Sequence, residues 1–173
     1  MKAKKILFLL FLLLLVVVCG YYFYPEKKLP AGVQIDSLVA TKSAHELQAY
    51  SKGKFMKRYY ISLGKQPVGA KETEGDNKTP EGKYFIYDKN PNSDYHKNLG
   101  VSYPDSLDVA KAAKMGTSAG GDIKIHGLRN GMGFIGKFQR WTNWTAGCMA
   151  VTNTEIDELY DAVKVGTPIE IKP

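Results

Sequence analysis

The apolar positions of this chain begin with one long uninterrupted run. Residues 6–18 are all apolar, and the run continues to Tyr24 as 19 residues without a charge. At about 1.5 Å per residue, a helix of that length rises about 28 Å, which is close to the hydrocarbon thickness of a bilayer. We therefore predict a membrane anchor over residues 1–24, with the three lysines among the first five residues on the cytoplasmic side.

Two other fates of this segment are open. A cleaved signal peptide would show small residues in an A-x-A-like pattern, and none follows the run. Lipidation at Cys19 would favour a small residue before the cysteine, whereas Val18 stands there. An uncleaved anchor requires no such site, so it is the prediction we prefer.

Beyond the run, apolar positions recur in short stretches between turn-forming residues, which is typical of strands. A proline-bounded linker over 25–32 leads into one domain over 33–173. Two segments favour helix: Ser106–Met115, and a stretch from Thr152 to about Val165 that begins with a capping-box spacing. The prediction is a mostly β domain with two helices, of the α+β class. Strands are expected at 33–41, 46–50, 55–63, 83–87, 99–103, 122–125 and 168–171, with a turn at 90–94 and loops at 64–79 and 128–144.

Charge narrows the choice of partner. The chain carries +7 overall, and the part after residue 24 holds 21 basic and 17 acidic residues, a net +4. This mild excess suits an anionic wall polymer or lipid surface. We predict no nucleic-acid partner, because no basic stripe is interleaved with aromatic residues.

The candidate chemistry centres on Cys148, the one cysteine outside the N-terminal run. Exported compartments oxidise or pair thiols, so a lone thiol there is a candidate nucleophile, although a buried inert cysteine is the plainer alternative. His126 could serve as its base, and the Gly127 carbonyl could orient the imidazole. Gly147 could leave backbone N–H groups free for an oxyanion. Three histidines and this cysteine show no metal-ligand spacing, so we predict neither metal nor cofactor.

These residues resemble a known family. The ordered segments Thr79-Pro80-Glu81-Gly82, Ile125-His126-Gly127 and Thr145-Ala146-Gly147-Cys148 are similar to the L,D-transpeptidase catalytic domain of the YkuD type, and the likeness spans roughly residues 36–173. The subgroup it resembles contains murein L,D-transpeptidases and related wall hydrolases. The resemblance implies a β-sandwich catalytic domain behind the membrane helix.

The resemblance also implies an activity. Cys148 would attack a carbonyl in a peptidoglycan stem peptide and expel D-alanine, and the thioester would pass to an amine, a protein lysine or water. His126 would act as base and then acid, Gly127 as orienter and Gly147 as backbone donor. A wall-attached lipoprotein is a further candidate partner, and L,D-carboxypeptidase or amide-hydrolase activity is an alternative outcome. Such an enzyme would be held in the inner membrane of a diderm bacterium, facing the periplasm.

Two residues differ from the family's usual motif, which weakens the transfer of the family's residue roles to this sequence. Ala146 stands where the family usually has a histidine, and Ala150 stands where it often has an arginine. Ala146 leaves open a non-catalytic wall-binding module, whereas a sortase is disfavoured because no arginine follows the cysteine. Four further residues are candidates for substrate binding: Tyr95, His96, Arg129 and Trp144.

Overall fold

One mixed sheet of eight strands carries the fold in the computed structural model, which describes residues 2–173. The strand order is β3-β2-β1-β8-β4-β5-β6-β7. The pairs β1–β8 and β6–β7 are parallel, and the other neighbours are antiparallel. The strands are β1 Ser37–Thr41, β2 Glu46–Ser51, β3 Lys54–Tyr60, β4 Gly82–Ser93, β5 His96–Val101, β6 Lys124–His126, β7 Met149–Ala150 and β8 Pro168–Lys172.

The sheet curls until its two ends meet. The first part of β4 pairs with β8 and the rest pairs with β5, so the predicted β-sandwich takes the form of one continuous sheet. Just beyond β3, Ser62 exchanges two backbone hydrogen bonds of 2.9 and 2.8 Å with Ala150 of the opposite edge strand, β7. This closure matters for the site, because it brings the chain around Cys148 against the end of β3.

A single core lies inside the curled sheet. Buried and less buried residues alternate along β1 and β2, as expected for strands with one face inward. Large, fully buried side chains come from both halves of the sheet, from the segment just after β3 and from α3: Leu38, Leu47, Tyr59, Ile61, Ile86, Leu99, Ile125, Met149, Ile156 and Leu159.

Four helices accompany the sheet in the described residues: α1 Lys2–Phe23, α2 Ser106–Lys114, a 3-10 helix Gly133–Trp141 and α3 Asn153–Ala162. The α+β prediction holds, and both helices predicted after the N-terminal run are present. Thr152 caps α3, and its hydroxyl and the Glu155 carboxylate form the predicted capping box. By length and composition α1 is a candidate membrane span, a description that a signal sequence also meets.

Two local predictions were wrong. The segment 128–144, predicted as a loop, contains the 3-10 helix, kinked where Gly136 adopts a φ of +50°. Its glycines lower helix propensity, but Gln139 anchors it: the backbone carbonyl accepts from the Ser62 hydroxyl at 2.5 Å. Residues 90–93, predicted as a turn, continue β4 through a bulge, because pairing with β5 outweighs the weak strand propensity of Asn-Pro-Asn.

The end of α1 rests on the 3-10 helix. The rings of Tyr21 and Trp141 lie 5.7 Å apart, and the Lys137 ammonium donates to the Tyr21 carbonyl at 3.2 Å. In the predicted linker, Glu26 pairs with Arg140 at 2.9 Å, and Arg140 also pairs with Glu155 of α3 at 2.8 Å. We call the group Tyr21, Glu26, Lys137, Arg140 and Glu155 the helix–domain junction.

Candidate active site

An open cavity of about 540 Å³ lies where β5, β6 and the turn before β7 meet. Antiparallel β5–β6 pairing and parallel β6–β7 pairing bring together residues far apart in the chain. Its wall includes Tyr95, Asp122, Lys124, His126, Trp144 and Cys148.

Cys148 lies in a tight turn that only glycine permits. Gly147 has a φ of +137°, and a Cβ added there would come within 2.7 Å of the Lys78 carbonyl oxygen. The Thr145 hydroxyl accepts from the Gly147 N–H at 3.1 Å and donates to the Cys148 carbonyl at 2.7 Å. These bonds hold the turn and leave the thiol, which is half-buried, at the cavity wall.

The structure does not leave the Gly147 N–H free, as the predicted role of this residue would require. Its N–H is already engaged by the Thr145 hydroxyl, so in this arrangement it is not available for an oxyanion. The correction has a physical basis: a threonine two residues before a backbone N–H forms a local side-chain turn. None of the turn's own hydrogen bonds uses the N–H of Cys148.

His126 is held in one orientation at the end of β6. Its ring is buried, and Nδ1 lies 2.7 Å from the Gly127 carbonyl oxygen. Because a carbonyl oxygen can only accept, Nδ1 carries the proton and Nε2 is left as the basic nitrogen. Gly127 is itself tightly packed, since an added Cβ would come within 2.8 Å of Asn153 Oδ1.

Two aromatic rings surround the imidazole. The Tyr95 ring centroid lies 4.8 Å from that of His126, and Trp144 meets the imidazole edge-on at 5.5 Å. The Trp144 indole N–H donates to Gln139 Oε1 at 3.2 Å, which ties this wall to the 3-10 helix. Both rings line the cavity beside Cys148.

Burial makes both titratable groups favour their neutral forms. Burial lowers the pKa of His126, the Gly127 carbonyl acts to raise it, and the positive charge of Lys124 lowers it further. Burial raises the pKa of the Cys148 thiol, which the Lys124 backbone N–H partly opposes. At neutral pH the thiol and the imidazole on this cavity wall are therefore both uncharged.

A family model matches most of the chain. The model described as the L,D-transpeptidase catalytic domain, YkuD, matches residues 35–171. The chain belongs to this family. The match runs from just before β1 to the last strand, so the cavity lies inside the L,D-transpeptidase domain.

Similar proteins carry related names. YafK of Escherichia coli strain K12, whose name assigns it to the L,D-transpeptidases, is 30% identical over 98 residues, which is 56% of this chain and 32% of YafK. The chain thus spans about a third of the length of that curated relative.

Solved structures share the fold. The helical cell shape determining protein Pgp2 from Campylobacter jejuni superposes with a TM-score of 0.61 at 25% identity, covering 82% of this chain and 49% of Pgp2. An L,D-transpeptidase from Mycobacterium smegmatis gives 0.54 at 18% identity, covering 82% of this chain and 60% of that one. The second likeness supports the fold alone.

The remaining candidates divide into two groups. Tyr95 and Trp144 line the cavity with Cys148 and His126, whereas His96 and Arg129 do not. His96 Nε2 is turned toward α3 and lies 2.9 Å from Asp157 Oδ1. Arg129 is exposed, three residues beyond His126.

Residue-type reasoning missed three cavity features: the Thr145 hydroxyl, Asp122 and Lys124. Lys124 could have been found, because residues two apart on a strand share a face and His126 was expected at a strand end. Within residues 2–173, no three His, Cys, Asp or Glu side chains converge as a metal site would require.

Proposed function

We propose that the protein is a cysteine-dependent L,D-transpeptidase that acts on peptidoglycan stem peptides through a thioester acyl-enzyme. The observation that carries this proposal is that Cys148 and His126 line one cavity, with the imidazole tautomer set by the Gly127 carbonyl. Membership of the L,D-transpeptidase family and the similarity to YafK support the substrate class.

The chemistry follows from the arrangement of the neutral pair. Nε2 of His126 accepts the thiol proton as Cys148 Sγ attacks the scissile carbonyl, and the same proton then passes to the departing amine. Of the two backbone N–H groups in the turn, those of Gly147 and Cys148, the Cys148 N–H serves as donor to the oxyanion. The thioester is finally attacked by an amine or by water, which regenerates the thiol.

The location proposed with this activity uses α1 as an uncleaved anchor. Tyr22 near the end of α1 and Tyr24 just after it are aromatic residues that suit the outer membrane–water interface. The catalytic domain would face the periplasm, where stem peptides, and a wall-attached lipoprotein as acyl donor or acceptor, would be in reach.

The test is incubation of the full-length protein in detergent with purified muropeptides, followed by mass spectrometry. We expect loss of D-alanine, a new cross-link or release of a wall-bound protein, each naming one reaction. A Cys148→Ala variant should be inactive, and equal product from wild type and this variant would sink the proposal.

A second candidate is a wall-binding module that has kept the fold without catalysis. It is favoured by Ala146, which is exposed in the turn where the family usually has a histidine. In that case wild type and Cys148→Ala would bind muropeptides equally, and no acyl-enzyme would form with a carbapenem probe.

A further inference from the structure

An acidic and a basic side chain flank Cys148 from β6 and the turn before it. Asp122 follows Gly120-Gly121 and adopts a φ of +59°. This left-handed conformation turns its backbone carbonyl toward the site, where the Cys148 thiol donates to it at 3.6 Å. Lys124 lies two residues after Asp122 and two residues before His126. The side chains of Lys124 and His126 therefore project from the same face of β6 into the cavity.

The two side chains form an ion pair at the cavity wall. Lys124 Nζ lies 2.7 Å from Asp122 Oδ1. Their exposure differs, because the lysine side chain is 28% exposed and the aspartate side chain is 75% exposed. The lysine is therefore the more desolvated partner of the pair.

The turn that holds the thiol has no charge of its own. From Trp144 to Val151 no side chain is ionisable except the cysteine, because alanines occupy 146 and 150. Every charge that acts on the thiol must then come from other segments of the fold. Besides Asp122 and Lys124, Lys71 acts on the thiol from outside the turn. Lys65 and Asp94 are further charged residues of the cavity wall.

We propose that the Asp122–Lys124 pair sets how readily Cys148 ionises, the ammonium favouring the thiolate and the carboxylate opposing it. The inference rests on the proposed use of Cys148 as nucleophile and adds two positioning residues to it. When the thiol loses its proton to His126 Nε2, the bond to the Asp122 carbonyl is lost. The thiolate then needs donors and positive charge, and Lys124 supplies both from β6: its backbone N–H and its ammonium.

The electrostatics of the site agree with this division. Burial and the negative charge of Asp122 raise the pKa of the Cys148 thiol. The backbone N–H of Lys124 and the positive charges of Lys124 and Lys71 lower it. The effect is mutual, since Asp122 and Cys148 both raise the pKa of Lys124, which burial lowers.

The experiment measures the ionisation of Cys148 directly in the full-length protein in detergent. The rate of alkylation by iodoacetamide is followed against pH, and mass spectrometry of the peptide that contains Cys148 separates it from Cys19. Lys124→Met should raise the pH midpoint by about one unit, a tenfold loss of thiolate at neutral pH. Asp122→Asn should lower the midpoint by a similar amount, and asparagine retains the left-handed backbone.

Controls separate charge from packing. Lys124→Arg should keep the wild-type midpoint, and the double variant Lys124→Met/Asp122→Asn should return close to it. Lys83→Met, which removes an exposed charge outside the cavity wall, should leave the midpoint unchanged. If the substitutions acted only by disturbing side-chain packing, the pH midpoint would shift in the same direction in both single variants. Midpoint shifts of the same sign, or no shifts, would therefore overturn the inference.

The readout does not depend on the proposed reaction. Opposite shifts in a protein that leaves muropeptides unchanged would uphold the ion pair and refute the activity. Activity on muropeptides without those midpoint shifts would uphold the proposed function and refute the role of the ion pair.

Discussion

The helix–domain junction and the cavity both hold ionisable side chains that are partly or fully shielded from water, but the junction keeps them charged whereas Cys148 and His126 in the cavity are neutral. At the junction, Arg140 is paired with Glu26 and Glu155. Burial alone would raise the pKa of Glu26, but the hydrogen bonds and charges of Arg140 and Lys137 hold it below its ordinary value. In the cavity, burial lowers the pKa of His126 and raises that of Cys148, so both are neutral at rest.

The difference lies in the partners. The junction meets each buried charge with an opposite charge, which stabilises one arrangement of helices and linker. In the cavity, the Cys148 thiol and the His126 imidazole each donate a hydrogen bond to a backbone carbonyl oxygen, which orients their neutral forms. The bond to Gly127 uses Nδ1 of the imidazole and not Nε2. Ionisable groups that are oriented by hydrogen bonds but not locked in an ion pair are the ones placed to exchange a proton.

The largest effect on this comparison should come from His126→Gln. The amide keeps a similar size but cannot act as a base near neutral pH, so we expect acyl-enzyme formation with a carbapenem probe to slow by about 10²–10⁴. Intact-mass spectrometry follows the adduct over time. His96→Gln is the matched control, because that histidine faces α3 rather than the cavity. A rate for His126→Gln near wild type would remove His126 from its proposed role.

The next largest effect should appear at the junction. Glu155→Ala removes a carboxylate that is 4% exposed, leaving Arg140 with a weaker, more exposed partner and α3 without its capping box. Breaking a buried pair from one side costs about 3–5 kcal/mol of unfolding free energy. Urea unfolding in detergent, followed by circular dichroism, measures it. Asp161→Ala, on the exposed side of α3, should cost less than about 0.5 kcal/mol. Equal losses would mean that the pairing at Glu155 contributes nothing special.

A third prediction concerns pH. The folded pKa of His126 lies below its unfolded value of about 6.5, so its contribution to stability is complete above that pH. As the pH falls, the unfolded chain binds the proton first, and stability drops by up to about 1.4 kcal/mol per pH unit until the folded pKa is reached. Unfolding free energies at pH 7.5 and 5.0 should therefore differ more for wild type than for His126→Gln. Identical pH slopes would show that the imidazole is not buried in its neutral form.

The smallest effect should come from Glu26→Gln. This carboxylate is 40% exposed at the junction, so its pairs with Arg140 and Lys137 are largely screened by water. We expect a loss of about 0.2–1 kcal/mol by the same urea measurement. A loss as large as that of Glu155→Ala would show that the linker contributes as much to the junction as α3 does.

Local sequence signals were enough for much of the fold. Alternation located most strands, and the spacing of Thr152 and Glu155 located the start of α3. Local sequence signals failed where contacts with residues distant in the chain decide the secondary structure. The 3-10 helix contains two glycines and is held by contacts with Ser62 and Ala150, and the end of β4 is held by β5.

The amino-acid sequence by itself determined the apolar N-terminal segment, the α+β class and the two groups proposed for catalysis, Cys148 and His126. These depend on residue type and near spacing, which are local properties. Only the tertiary structure decided that the Gly147 N–H is engaged, that His96 turns away, and that Asp122 and Lys124 lie beside the thiol. Hydrogen bonds and electrostatic interactions act through space, and the pairing of β5, β6 and β7 joins segments that the chain keeps more than twenty residues apart.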